Sequence, residues 1–231
     1  MAVDVFAPIA SRSTIQDGVY RQLRHALMIG LFEPGQTLTI ASLSESFGTS
    51  HMPVREALRR LAAENALEVA ANGSARIPAT SRARLDDVCR ARIAVESLAT
   101  ELAVPNITVR DIAKLEGVVR EHETVGRTES VYAMLGKNQE FHFHLYGASQ
   151  SEVLIQLIET LWLRFGPYMR LLTQHIEPLL KSDSSGTYSV HHHEIVAALK
   201  AKDVGAARAG IIADIEVTCD LLHGLILEER A

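Results

Sequence analysis

From about Arg84 to the C-terminus, the chain repeats its apolar residues with a helical period and offers almost no strand signal, which restricts most of the molecule to packed helices. Segments at roughly 84–103, 108–124, 129–148, 151–164, 167–181, 188–200 and 203–228 are separated by Pro105, residues 124–128, Ser149-Gln150, Gly166-Pro167, residues 181–186 and Lys202-Asp203. Helices of this kind bury their apolar stripes only against one another, so an all-α bundle is implied. With 47% hydrophobic residues over 231 positions, a sizeable core needs no metal or disulfide to hold it.

The first 80 residues read differently. Thr14 can cap a helix in which Ile15, Val19, Leu23 and Leu27 recur until Gly30, and Glu33-Pro34-Gly35 marks a turn. A short helix is predicted over 40–47. Gly48-Thr49-Ser50 then turns the chain, and Ser50 can cap a third helix with Pro53 in its first turn and Val54, Leu58 and Leu61 inward. Residues 67–70 and 75–77 flank a turn at Asn72-Gly73 and read as a hairpin. These are the parts of a winged helix-turn-helix, whose second paired helix enters the DNA major groove. The fold class is therefore mainly α, with residues 1–80 as a winged helix-turn-helix and residues 81–231 as an all-α helical bundle.

Charge supports two units with different partners. The formal −5 argues against a protein that coats nucleic acid through bulk positive charge. Residues 1–80 balance seven Lys/Arg against seven Asp/Glu, so the remainder carries the whole excess. The third helix presents Ser50, His51, Met52 and Arg55 at its N-terminal end, with Arg59 one turn on, and a helix N-terminus beside arginine suits phosphates and base edges. Alternatively these arginines form a solvated face, with Glu56 and Arg60 paired at i, i+4.

Cys89 and Cys219 lie far apart and outside any CxxC pattern, so neither a disulfide framework nor a zinc ribbon is expected, and a reducing cytoplasm fits best. The N-terminus lacks a basic segment followed by an apolar stretch, and no run is long enough to span a bilayer, so a cytoplasmic protein with no membrane partner is expected.

Polar residues fall on apolar faces of the helical part. His142 shares a face with Leu135, Asn138, Leu145 and Tyr146, whereas His144 shares one with Glu140 and should meet solvent. His192 aligns with Ile195, Val196 and Leu199, and Asp214 with Ala207, Ile211, Thr218 and Leu221. A buried carboxylate requires a cation or strong donors nearby. Asn138, His142, His192 and Asp214 can therefore form a divalent metal site for Zn, Ni or Mn, or a buried hydrogen-bond network.

The run Pro53-Val54-Arg55-Glu56-Ala57-Leu58, with the turn before it and Phe32-Glu33-Pro34-Gly35-Gln36-Thr37-Leu38 upstream, closely resembles the signature of the GntR family of bacterial transcriptional regulators over roughly residues 13–78. The resemblance implies that Ser50, Arg55 and the wing around Gly73 contact DNA. It departs where His51 replaces a usual arginine, where Glu64-Asn65-Ala66-Leu67 replaces an acidic-Gly-Leu, and at Thr39. Residues 84–225 resemble the FCD ligand-binding domain of the FadR-like branch, through Arg92-Ile93-Ala94-Val95-Glu96, Asn138, Phe141-His142, Leu161-Trp162, Gly166-Pro167-Tyr168, His192, Ile195-Val196-Ala197-Ala198-Leu199, Asp203 and Asp214. Many such domains hold a divalent metal through one Asp or Asn and three His, and the effector's carboxylate completes the coordination. The matching positions are Asn138, His142, His192 and Asp214, with Asn for the usual Asp at 138 and Asp for the usual His at 214. Arg92 matches an arginine that reaches the effector, and Arg164, Tyr168 and Arg170 are further candidates.

Together these features predict a homodimeric regulator that binds a palindromic operator in double-stranded DNA and senses a small carboxylate; the resemblance further implies that it acts as a repressor and that residues 81–231 are its effector-binding and dimerisation domain. One rival reading is a metal-dependent helical hydrolase or lyase using Glu140 or Asp214 as base. Another is a metal-free acyl-CoA-responsive regulator, disfavoured because a fatty tail needs an apolar tunnel and the inward residues include polar ones.

Overall fold

The structure is a computed structural model that describes residues 12–69, 74–128, 130–180 and 189–228. Helix α1 (Arg12–Met28) precedes the paired helices α2 (Ile40–Phe47) and α3 (His51–Ala63). Thr39 caps α2 by accepting a hydrogen bond from the Ser42 N–H, and Gly48 ends it in the left-handed conformation. Ser50 occupies the N-cap of α3 in extended conformation without a side-chain capping bond, which leaves its hydroxyl outward. Val54, Ala57, Leu58 and Leu61 are buried against α1, whose inner face is Val19, Tyr20, Leu23 and Leu27. Ile15, expected on that face, is 54% exposed, because the buried stripe begins one turn later.

The wing is a three-stranded antiparallel sheet in the order β1 (Thr37–Leu38), β3 (Ala75–Arg76), β2 (Glu68–Val69). The hairpin was predicted; β1 was not, since two residues carry no periodicity. Asn65 takes φ +58°, a conformation that Asn tolerates better than other side chains, so it can stand where a glycine is usual.

The remaining helices are α4 (Arg82–Asn106), α5 (Val109–Thr128), α6 (Val131–Gly147), α7 (Glu152–Leu180), α8 (Val190–Ala201) and α9 (Val204–Glu228). Helix α4 packs along α9 and α7, α5 along α6 and α8, and α8 along α9. Two predicted breaks are corrected. Pro105 lies inside the end of α4, and α7 runs unbroken through Gly166-Pro167. A proline within a helix removes one backbone bond, a loss that packing on both sides of α7 offsets here. The glycine answers to a neighbour instead: a Cβ on Gly166 would lie 2.2 Å from the Leu27 carbonyl oxygen. Gly30, at φ +71°, meets the other half of this contact, where a Cβ would lie 2.5 Å from the Arg170 nitrogen.

The cysteine reading is also corrected. Cys89 on α4 and Cys219 on α9 form a disulfide despite 130 residues of sequence separation, because these two helices lie side by side. Among the described residues no helix is long and apolar enough to cross a membrane.

Candidate functional site

Helix α3 projects its N-terminal end to solvent. Ser50, His51, Met52, Arg55 and Arg59 are all exposed. Glu56 pairs with Arg59 at 3.2 Å rather than with Arg60. Arg60 instead stacks 3.7 Å from the Tyr20 ring centroid and pairs with Glu64 at 3.3 Å, so it fastens α3 to α1. Arg55 enters no ion pair among the described residues, which leaves its guanidinium to an outside partner. Gly73 lies outside the described residues.

The helical domain encloses a cavity of about 340 Å³ between α4, α5, α6, α7, the start of α8, and α9. His142 and Asp214 form part of its wall, and His192, 1% exposed, stands behind them. His142 Nε2 lies 3.3 Å from His192 Nε2 and 3.3 Å from Asp214 Oδ2, while His192 Nε2 is 3.7 Å from Asp214 Oδ1. Donors about 2.0–2.2 Å from a tetrahedral ion stand about 3.3–3.6 Å apart, which matches the two separations from His142 Nε2, while His192 makes its 3.7 Å approach to the other Asp214 oxygen. Asn138, one turn before His142 on α6, lines the same cavity.

A chain of buried groups orients His142. Arg92 Nε donates to Glu96 Oε1 at 2.7 Å, Tyr146 Oη donates to Glu96 Oε2 at 2.5 Å, and His142 Nδ1 sits 3.1 Å from that same hydroxyl. The phenol gives its proton to Glu96 and its oxygen is left to accept from Nδ1–H, so Nε2 is the nitrogen offered to the site. Burial, then the Glu96 charge, hold the Tyr146 hydroxyl well above the usual phenol range, keeping it a donor.

Burial alone would raise the Asp214 carboxyl; the hydrogen bond and charge of His142 and the charge of His192, which act when these imidazoles are protonated, together with the Arg92 charge outweigh it and hold Asp214 below the ordinary carboxylate range. Burial pushes His192 down to about 3 against the pull of Asp214. His192 Nδ1 is buried with no hydrogen-bond partner among the described residues. Arg92 is matched by Glu96, so the charge that remains in the pocket is the Asp214 carboxylate.

Of the candidate effector contacts, only Arg92 lines the cavity, lying 4.4 Å from the Phe165 ring centroid and 5.1 Å from that of Trp162. The placement of the other three is corrected. Tyr168 is buried, donating to the Ser81 carbonyl oxygen at 2.9 Å, and Arg170 is held by Glu33 and Tyr132. Arg164 is half-buried away from the cavity. Continuity of α7 explains this: Trp162, Phe165, Met169, Leu172 and Ile176 occupy the cavity face, which leaves 164, 168 and 170 to the flanks. Glu140 is likewise away from the cavity, bound by Lys114 and Lys137, so it is no base for the cluster. His144 meets Asp111 at 3.2 Å on the half-exposed side, as its phase predicted.

One pocket residue was missed. His122 on α5, 4% exposed, lines the cavity with its ring 5.3 Å from that of His192. Burial pushes it down to about 4, so it is neutral near pH 7. Its signal was present, since it continues the stripe Leu115, Val118, Val119. The cavity walls are also more apolar than the inward polar residues suggested, with Met134, Leu135, Leu172, Ile176, Ile215 and Leu221 among them.

Helix α7 uses a second face for the N-terminal domain. Glu159, Gly166 and Arg170 follow one another at helical spacing, and they meet Arg24 at 2.7 Å, the Leu27 carbonyl and Glu33. On α6, Gln139, next to Asn138, contacts His25 at 2.8 Å and the Met28 sulfur at 2.8 Å.

A winged helix-turn-helix with a free arginine on its outer helix, seated on a helical domain that encloses a ligand-sized cavity, defines a DNA-binding transcriptional regulator with an effector domain. Residues 15–77 match the bacterial regulatory proteins of the gntR family, and residues 87–216 match the FCD domain. The chain is 35% identical over 190 residues to the HTH-type transcriptional regulator McbR of Escherichia coli strain K12, covering 82% of this chain and 84% of that protein. The solved structure of E. coli McbR/YncC superimposes with a TM-score of 0.85 at 31% identity, covering 91% of this chain and 97% of that one. The uncharacterized regulator YdhC of Bacillus subtilis strain 168 is 27% identical over 216 residues, or 91% of this chain and 92% of that protein. The chain belongs to the GntR family of bacterial transcriptional regulators and carries an FCD effector-binding domain; it is a regulator and not an enzyme.

Proposed function

We propose that this regulator is a homodimeric cytoplasmic repressor that binds a palindromic operator through α3 and releases it when a small carboxylate reaches a metal-centred site in the cavity. The observation that carries this reading is the cluster of His142, His192 and Asp214 at the cavity wall, with the three ligand-bearing groups within 4.8 Å of one another. Asn138 joins them as a fourth donor. Two imidazoles and two oxygen donors suit Zn, Ni or Mn. The metal would supply a Lewis-acidic positive centre for the effector's carboxylate. Electrostatics favours the same arrangement: with Arg92 paired to Glu96, a carboxylate entering without a cation would meet only the negative Asp214.

Ser50, His51, Met52, Arg55 and Arg59 read the operator, and the wing at Gly73 adds to the contact. Leu98 and Leu102, one turn apart on α4 and 43% and 42% exposed, offer apolar surface to a second copy. The link between the two functions is α7, whose cavity face and N-domain face are about 100° apart on one rigid element. An effector that prefers one seating of α7 shifts the population of DNA-competent dimers by its difference in affinity.

The test is selection of host-genome fragments by the purified protein, followed by sequencing. One short palindrome is expected for the wild type and for His142→Ala with His192→Ala. Loss of operator response to metal plus candidate acids is expected only in the double variant. A double variant that responds like the wild type places the effector site elsewhere.

A further inference from the structure

We propose that the effector is an amphipathic monocarboxylate of about a dozen non-hydrogen atoms, and that His122 binds a second polar group, a hydroxyl or carbonyl, close to its carboxylate. This rests on the reading above that the His142–His192–Asp214 end of the cavity takes an acid.

The cavity holds about 340 Å³. That is the space of roughly eleven waters at about 30 Å³ each, room for a ligand of about a dozen non-hydrogen atoms, so the character of the walls rather than size selects its class. Away from the acid end the walls are side chains such as Phe165, Met169, Leu172 and Ile176, which favour hydrocarbon over further charge. Val190 and Val217, 46% and 58% exposed, put apolar side chains at the rim beside His191.

Most polar groups lining this chamber already have partners. Arg92 is bound to Glu96, Thr218 donates to the Asp214 carbonyl at 3.1 Å, and His191 at the rim meets Glu194 at 2.9 Å. His122 differs. It is 4% exposed, and its Nδ1 is buried with no hydrogen-bond partner among the described residues; the Trp162 indole Nε1 is likewise buried and unpartnered, but it can only donate, whereas an imidazole can also accept. An orphaned buried nitrogen on a cavity wall is destabilising until a ligand or water meets it. A neutral imidazole donates from one nitrogen and accepts at the other, which suits a hydroxyl or carbonyl better than a second carboxylate. The ring lies 5.3 Å from that of His192, so the group it meets sits within a few carbons of the acid.

Trp162 is the single tryptophan of the chain and lines the cavity, so its fluorescence reports occupancy directly. The full-length protein, with and without added Zn²⁺, is titrated with octanoate, 3-hydroxyoctanoate and citrate. The hydroxy acid is expected to bind about fivefold more tightly than octanoate, with citrate weakest. His122→Leu should erase the preference for the hydroxyl, and His122→Gln, which keeps a donor and an acceptor, should retain it. Equal affinities of the two eight-carbon acids for the wild type overturn the role of His122, whatever the variants do. Citrate as the tightest ligand overturns the amphipathic class while leaving an acid site in place. No quenching by any acid, with or without Zn²⁺, overturns both this inference and the acid-binding reading beneath it.

Discussion

Gly166 on α7 packs against the backbone carbonyl of Leu27 on α1, so closely that a methyl group there would lie 2.2 Å from the oxygen. This contact joins the helix that walls the cavity to the helix that carries α3. Gly166→Ala should therefore force the two apart, with a stability loss of about 1–3 kcal/mol, as for other overpacked contacts. Thermal unfolding measures the loss, and operator binding should lose its response to ligand. An unchanged melting temperature would show that α1 rides more loosely on α7 than this packing requires.

Tyr146→Phe tests how His142 is oriented. The substitution removes the hydroxyl between Glu96 and His142 Nδ1 without removing any proposed ligand. Loss of such an outer partner typically weakens metal binding about 10- to 100-fold, and Zn²⁺ titration of the purified variant should fall in that range. Wild-type affinity would mean that His142 is held by packing alone.

On α3 two arginines five residues apart should separate cleanly. Arg55→Ala should abolish specific DNA binding and leave the melting curve unchanged, since the side chain is exposed and makes no ion pair. Arg60→Ala should instead lower stability, because its guanidinium covers Tyr20. Gel-shift and melting measurements on both variants would contradict the orientation of α3 if the effects were exchanged.

Stability should depend on pH through the buried histidines. His122 and His192 are held down to about 4 and about 3 in the folded chain, against about 6.5 when unfolded. As pH falls from about 6.5 to 4 the unfolded chain takes up protons that the folded chain refuses, so stability falls with acid and rises with pH across that window. Asp214, held low, adds its own loss only at more acidic pH. For His122 the effect is on the order of 3 kcal/mol, at about 1.4 kcal/mol per unit. His122→Leu should flatten the slope of stability against pH between 6.5 and 4 in metal-free protein; an identical slope would remove His122 as its source.

Much of this arrangement was legible in the residues. Val54, Leu58 and Leu61 mark the inner face of α3, and that alone fixes which arginines point outward. His142, His192 and Asp214 were legible because each interrupts an apolar stripe at helical spacing, and a helix keeps its phase over a few turns. The same rule applied to Leu115, Val118 and Val119 reaches His122, which no resemblance pointed to. Phase does not carry across an expected break: with a helix ending at Gly166-Pro167, nothing in the sequence ties Tyr168 and Arg170 to the face of Trp162, and only the continuity of α7 turns them away from the pocket. Contacts remote in sequence carry no local pattern, so neither the Cys89–Cys219 bond nor the packing of Leu27 that requires a glycine at 166 could be read in advance.

The most direct measurement is the metal content of the protein purified without a histidine tag, by mass spectrometry of the bound elements, before and after incubation with Zn, Ni and Mn. One divalent ion per chain is expected for the wild type and none for His142→Ala with His192→Ala. A wild-type chain that stays metal-free after loading, or a double variant that binds as much, would contradict a metal-centred effector site.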